Sequence, residues 1–467
     1  MLPLFAIIIG IPVFALLAAA LTGGRHGKSM SVLSTLSMVF LSAYLAASIF
    51  LGNPLPGETH GYISALGISL KFGVTPFSAV LLLMASIVLF VTALSGNPES
   101  EKEGTAGMLI LLFQIASAGI FTTRNLFAFF IFWDVGVIAL FFMISRLGSS
   151  IRKRASYKFL MYEIFASAML FFGIVLLFAT THSLDIGYIT ANASSIPLPY
   201  QAAIFVSLFV AFMTNMPIFP MHTWLPDAHT EASTQGSMLL SGILTKFGGF
   251  GMLLLFGMLP IAHTYALDVA ILASVSAFYA AFLLLKQTDI KRVIAYSTIV
   301  EMGIIMLGIS SLNQFGTFGA VYAMLSHGVA IALMFLVVGA LHYVFGERDI
   351  SKLRGAMSGS KVLSYVFIIG TFAITGIPLT ATFVADILIF LGAVGAFGIY
   401  SLLPIFTIAI MGWYLYLIID RSVMRSKEPL PVLNHIGLEQ KIGIALLLLA
   451  VFAFGVFPFV IIKILKG

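Results

Sequence analysis

Apolar runs of about 20 residues, parted by short polar connections, recur along the whole chain; that is the length an α-helix needs to cross a bilayer. The pattern predicts fourteen spans, at roughly 3–22, 30–51, 74–95, 106–123, 125–146, 157–181, 199–221, 232–259, 265–286, 291–310, 317–344, 361–393, 399–420 and 440–463. The first run is read as a span and not as a cleaved signal, since thirteen more follow it. Connections reach only about 20 residues, so the whole of 1–467 is expected to be one membrane domain. The expected fold is therefore an all-α polytopic membrane protein.

Two of the runs are interrupted. "NMPIFP" (Asn215 to Pro220) falls in the seventh span and "ITGIPLTATF" (Ile374 to Phe383) in the twelfth. Pro217 and Pro378 each lack a backbone donor and clash with the preceding turn, so freed carbonyls there need partners inside the protein. The breaks are five spans apart, which predicts two inverted five-helix repeats. The first repeat would cover about 106–259 and the second about 265–420; helices 1–3 (1–95) and the last helix (440–463) stand outside them.

Composition agrees with the pattern: 60% of residues are hydrophobic, 9% are charged and the mean hydropathy is +1.09. Charge then orients the chain. Nineteen of the twenty-four Lys and Arg residues fall in or beside the connections after spans 1, 3, 5, 9, 11 and 13, and four (Lys71, Arg124, Lys463 and Lys466) on the other face. By the positive-inside bias both termini are expected outside a plasma or inner membrane. The net charge of +6 thus reports topology and calls for no nucleic acid. One basic residue remains, Lys246, in the middle of an apolar span.

The chain has no cysteine, which excludes iron–sulfur clusters held by Cys, c-type haem attachment and CxxC redox pairs. No Gly-rich phosphate loop of the usual patterns is present. No cofactor is expected on this chain, and electron transfer belongs to partner chains.

The candidate chemistry lies in the charges left inside the membrane. Asp134, Glu163, Glu301 and Asp386 sit within predicted spans, with Glu163 and Glu301 nearer the ends. Such residues are costly in hydrocarbon, so they face the protein interior and mark ion or proton paths, or else form structural pairs. In a low-dielectric interior a carboxylate holds its proton more tightly and a lysine releases one more readily. Alternating the two lets protons move by switching partners, and a histidine fits between them as a relay. His327 is the candidate relay; His342, nearer a span end, reads as structural.

"PMHTWLPDAHTEASTQGSMLLSGILTKFGGFG" (Pro220 to Gly251), "DIKRVIAYSTIVEMG" (Asp289 to Gly303) and "GIPLTATFVAD" (Gly376 to Asp386) resemble signatures of the antiporter-like subunits of respiratory complex I and its relatives. Those relatives include Mrp-type sodium/proton antiporters and membrane-bound hydrogenases. "LSHGVAIALMFLVVGALHYVFGERDI" (Leu325 to Ile350) resembles the chain-M branch, with Ile331 where the chain-L branch places a lysine. The resemblance implies that Asp134 is the span-5 acid, Lys246 the central lysine, Asp386 the exit-side acid and His327 a connecting histidine. It also marks three departures: Asp134 and Glu301 stand where the family usually has Glu and often His, and Asn215 where it has the lysine that partners the span-5 acid. Asparagine cannot titrate, so Asp134 is expected to pair with Lys246, directly or through water.

His222, Asp227, His229 and Glu231 are a weak metal set, since the two histidines are seven residues apart across a proline. Asp227 is expected to cap span 8 and the histidines to line a proton entry. The function implied is proton or sodium translocation in a multisubunit redox complex, alongside other antiporter-like and redox-arm chains. An Mrp-type antiporter and a non-conducting structural subunit are the alternatives. The first is disfavoured because Mrp-type chains usually carry lysine where Asp386 stands.

Overall fold

The structure is a computed structural model of the 467-residue chain that describes residues 4–63, 68–96, 102–353, 356–420 and 430–466. Of the basic residues counted for topology, Arg354, Arg421, Arg425 and Lys427 lie outside the described residues.

The apolar runs form helices close to where the pattern puts them. They are α1 (Leu4–Leu21), α2 (Gly27–Phe50), α3 (Pro76–Leu94), α4 (Glu103–Thr122), α5 (Leu126–Leu147), α6 (Arg152–Thr181), α7 (Leu198–Asn215) and α8 (Thr234–Met258). Then come α9 (Ala266–Leu284), α10 (Ile290–Ser310) and α11 (Gln314–Phe345). A broken pass follows as α12 (Lys361–Ile374) and α13 (Ala381–Phe397), and α14 (Leu402–Ile418), α15 (Leu438–Val456) and α16 (Pro458–Lys466) close the chain. Among the described residues thirteen stretches are long and apolar enough to cross a membrane, one of them Ala381–Ile418, which bends at Gly398 into two helices. Polar side chains start several helices: Thr75 with Ser78 forms a capping box on α3, and Asn125, Ser233, Asp289 and Asn313 accept first-turn N–H groups of α5, α8, α10 and α11.

Burial sorts the helices. α10 is enclosed along its whole length and α8 and α11 nearly so, whereas α1 and α6 keep long exposed apolar faces. A helix apolar all round and buried all round is a core helix, and these three carry Lys246, Glu301 and His327.

Three features depart from the expected pattern. A two-stranded antiparallel hairpin, β1 (Glu58–Ile63) and β2 (Ile68–Phe72), fills the connection before α3, so the fold is not purely helical. Ile68, Leu70 and Phe72 alternate with Ser69 and Lys71, a period-2 signal too short to register among membrane-length runs. Asp227 does not cap span 8. It lies inside a short helix, Trp224–Glu231, bound to Lys158 at 2.6 Å and Arg292 at 3.0 Å, and Ser233 is the cap. Finally, the seventh span stops at Asn215 instead of running to 221. Trp224 Nε1 donates to the freed Thr214 carbonyl at 3.0 Å.

The two halves repeat a local detail. Asn125 pairs with Asp185, and Asp289 with Asp349, as isolated antiparallel bridges; each joins the start of a helix to the connection sixty residues on. The flanking bonds match too, Leu126 N to Leu184 O and Ile186 N to Arg124 O against Ile290 N to Arg348 O and Ile350 N to Thr288 O.

Candidate functional site

Lys246 is wholly buried in α8, two residues after a stretch in which the helix widens to a π turn (Leu240–Leu244). The widening sends the Thr245 N–H to Leu240 and Ile243, away from the Ser241 carbonyl that an α-helix would give it. That carbonyl instead accepts from Thr245 Oγ1 at 3.0 Å and from the Lys246 ammonium. Lys246 Nζ also lies 3.3 Å from Thr245 Oγ1 and 2.7 Å from His327 Nδ1 on α11. A buried ammonium thus finds three acceptors, all neutral.

The Ser241 side chain reaches the other way. Its hydroxyl is 2.6 Å from His229 Nε2 and 3.1 Å from Thr298 Oγ1 on α10, and the His229 ring stacks on Phe335 with centroids 4.4 Å apart. One turn beyond Thr298, Glu301 is buried and interacts electrostatically with both Lys246 and Asp386. Glu301 Oε1, Asp386 Oδ1 and His327 Nε2 find no partner among the described residues. Asp386 is seated by the helix break: Gly376 holds φ +71°, and a Cβ there would stand 2.7 Å from Asp386 Oδ2. Only glycine fits that corner without strain.

A second cluster lies between α5, α6 and α7. Asp134 accepts from the Ser167 hydroxyl. Glu163, one turn before Ser167 and fully buried, accepts from Asn215 Nδ2 at 3.3 and 3.4 Å. Asn215 Oδ1 in turn accepts the Gly248 N–H at 2.9 Å, so one amide links the Glu163 carboxylate to the helix that carries Lys246.

Several expectations change. No hydrogen bond or ion pair joins Asp134 to Lys246 among the described residues; Asp134 takes Ser167, and Lys246 takes His327 and the Ser241 carbonyl. Asn215 partners Glu163 of α6, not the span-5 acid. Glu163 and Glu301, weighed as the more peripheral acids, are both enclosed. His229 does not line a mouth but is bonded inside the bundle, and His222 is buried between Phe219 and Tyr279, apart from the cluster. Glu231 is spent on the start of α6, accepting from Ser149 Oγ and Ile151 N at 2.8 Å each. No group of three or more His and acidic side chains close enough to hold a metal occurs among the described residues. The hydroxyls of Ser167, Ser241 and Thr298 escaped the sequence reading because serine and threonine are ordinary in membrane helices. The only hint was "SGILTK", where two hydroxyl residues precede the lysine.

Chemically, Lys246, His327, Glu301 and Asp386 alternate groups that gain and lose protons, with Ser241 and Thr298 able both to donate and to accept. Asn215 is the odd member: its amide bonds both neighbours and carries no transferable charge.

Residues 123–412 match the family model described as NADH:quinone oxidoreductase/Mrp antiporter, TM. The chain is similar to NADH-quinone oxidoreductase subunit M of Rickettsia felis, at 30% identity over 100% of this chain and 97% of that one. It is similar also to F(420)H(2) dehydrogenase subunit M of Methanosarcina mazei, at 32% identity over 86% and 83% of the two chains. Among solved structures, a chain of respiratory complex I from Thermus thermophilus superposes with a TM-score of 0.88 at 23% identity, covering 100% of both chains. A chain of the Mrp complex from Dietzia sp. gives 0.88 at 18% identity, covering 99% of this chain and 96% of that one. At those identities the structural likeness speaks for the fold.

Proposed function

Because the chain belongs to the NADH:quinone oxidoreductase/Mrp antiporter transmembrane family, as an antiporter-like subunit of the chain-M type, we propose that it translocates protons or sodium ions within a multisubunit membrane redox complex. The observation that carries this reading is the buried Lys246, 2.7 Å from His327 and in the electrostatic field of Glu301, which faces Asp386 in turn. A charged side chain at such depth is retained against its cost only where it has work or a partner. Here the hydrogen-bonded partners are neutral, which favours work.

Redox chemistry, in this reading, belongs to partner chains, and the relatives named for NADH and F420H2 oxidation supply the precedent. The basic-rich face would be cytoplasmic and both termini outside. The paired bridges at Asn125–Asp185 and Asp289–Asp349 support two repeats over about 106–259 and 265–420.

A second reading has its own support. Asn215 leaves the Asp134–Glu163 cluster without a lysine, so the first half of this subunit conducts nothing and the route serves only Lys246 and beyond. An Mrp-type exchanger fits less well, given the carboxylate at Asp386. The test is Lys246→Ala in the intact complex in sealed vesicles, with ion movement followed with and without sodium. Translocation per turnover should fall; an unchanged value would make this chain a structural filler.

A further inference from the structure

At the basic-rich end of α6 a cleft of about 520 Å³ opens between that helix, the short helix Trp224–Glu231 and the start of α10. Its size lies in the range of small-molecule sites. Ile151, Arg154, Lys158, Asp227, Glu231 and Arg292 line it. Three cations therefore face two carboxylates. Asp227 is shared by Lys158 and Arg292, and Glu231 already accepts from Ser149 and Ile151. Arg154 is exposed and has no partner among the described residues, leaving the lining one positive charge in excess.

Directly along α6 from this cleft runs an exposed apolar ridge that includes Tyr157, Met161, Phe165, Phe172 and Val175. Tyr157 to Val175 spans roughly 27 Å at the helical rise, close to the ~30 Å of a hydrocarbon core. A surplus cation at one end of a lipid-length apolar ridge is complementary to one kind of molecule.

We propose that this cleft binds an anionic phospholipid, its phosphate held by Arg154 beside the Lys158–Asp227–Arg292 bridge and its acyl chains laid along α6. Basic pockets between membrane helices hold lipid headgroups by this chemistry. A single phosphodiester matches the single excess charge. Guanidinium suits it better than ammonium, because the planar fork binds two phosphate oxygens at once. The site is independent of the ion path and stands whether or not this subunit conducts.

The test uses the purified complex containing the full chain, delipidated in detergent and titrated with fluorescent phosphatidylglycerol, phosphatidylcholine or inorganic phosphate. Phosphatidylglycerol should bind in preference, millimolar phosphate should fail to displace it, and Arg154→Gln should weaken phosphatidylglycerol about five-fold while leaving phosphatidylcholine unchanged. Arg154 is exposed, so an unchanged thermal unfolding profile is expected of the variant. Equal affinity in Arg154→Gln overturns the proposal. So does displacement by phosphate alone, which would mark a free-anion site. So does a photocrosslinker at position 161 that captures a protein subunit instead of lipid.

Discussion

Lys246 Nζ and His327 Nδ1 stand 2.7 Å apart between α8 and α11, with no carboxylate hydrogen-bonded to either. When Lys246 carries its proton it can only donate, so Nδ1 then accepts and the ring holds its own proton on Nε2, the nitrogen that has no partner among the described residues. In the proposed route Lys246 hands a proton to the ring, and the ring passes one on from its far side. We predict that His327→Gln, which keeps a hydrogen-bonding side chain but cannot relay, assembles normally and slows ion transfer roughly a hundredfold, the scale for losing a positioned proton-transfer group. Ion movement per electron in sealed vesicles is the measurement. Wild-type coupling in this variant would reduce His327 to a packing residue.

Asn215 makes a distinguishable prediction. Its amide is the hydrogen-bond partner of Glu163 and also holds the Gly248 N–H. Asn215→Leu leaves a buried carboxylate unmatched and should cost about 1–3 kcal/mol of stability, read as a lower unfolding midpoint. Asn215→Lys should place a cation against Glu163 and raise ion movement per turnover if the first cluster is silent for want of one. A stable lysine variant with unaltered stoichiometry would argue that Asp134 and Glu163 are structural.

How much of this was visible in the residues follows from what membranes constrain. Span count and position are legible because every apolar run must be long enough to cross, and Lys246 stands out because its span carries no other charge. Partnership is a different matter. Asp134 is expected to pair with Lys246 because Asn215 stands where the family has a lysine, yet which helix faces which is decided by packing, and α6 brings Ser167 to Asp134 and Glu163 to Asn215. The π turn was equally silent. Nothing in "LSGIL" marks it, and it shows only in where the Thr245 N–H goes.

Gly376 offers a way to move Asp386 without changing it. Its φ of +71° and its contact with the carboxylate mean that a methyl group at this position both strains the backbone and pushes Asp386 aside. Gly376→Ala should cost about 1–2 kcal/mol from the backbone alone and, like Asp386→Asn, should reduce ion transfer. Equal ion transfer in wild type and Gly376→Ala would show that the placement of Asp386 is unimportant.

Tyr322 tests the other end of the core. Pro458 has no N–H to give the Phe454 carbonyl four residues earlier, and the Tyr322 hydroxyl fills that place at 2.5 Å. Tyr322→Phe should leave the carbonyl orphaned and lower stability by about 1–3 kcal/mol, with ion transfer per assembled complex unchanged. A thermal unfolding midpoint equal to wild type would sink the account.

On the face opposite the basic-rich one, Asp185 ties the hairpin to the bundle through Lys71 at 2.8 Å. Partial burial works against its charge. The hydrogen bond from Lys71, the Tyr188 N–H and the nearby charges of Lys71 and Arg124 outweigh it, and hold the carboxyl below the usual carboxylate range. The sign follows from linkage: a depressed folded-state value means the unfolded chain takes up the proton first, so the stabilisation is complete above the ordinary value near 3.9. It fades as pH falls through the lower, folded one. Protection of the β2 amides, measured against their intrinsic exchange rate at each pH, should therefore stay high at neutral pH and fall only in that acid window, and Asp185→Asn should show the reduced protection at neutral pH. Both effects should shrink in high salt, because Lys71 is half exposed and the pair is screened. Protection in β2 that ignores both pH and the substitution would mean that the backbone bonds Gly73 N to Thr122 O and Arg124 N to Lys71 O, each 2.8 Å, hold the hairpin without the ion pair.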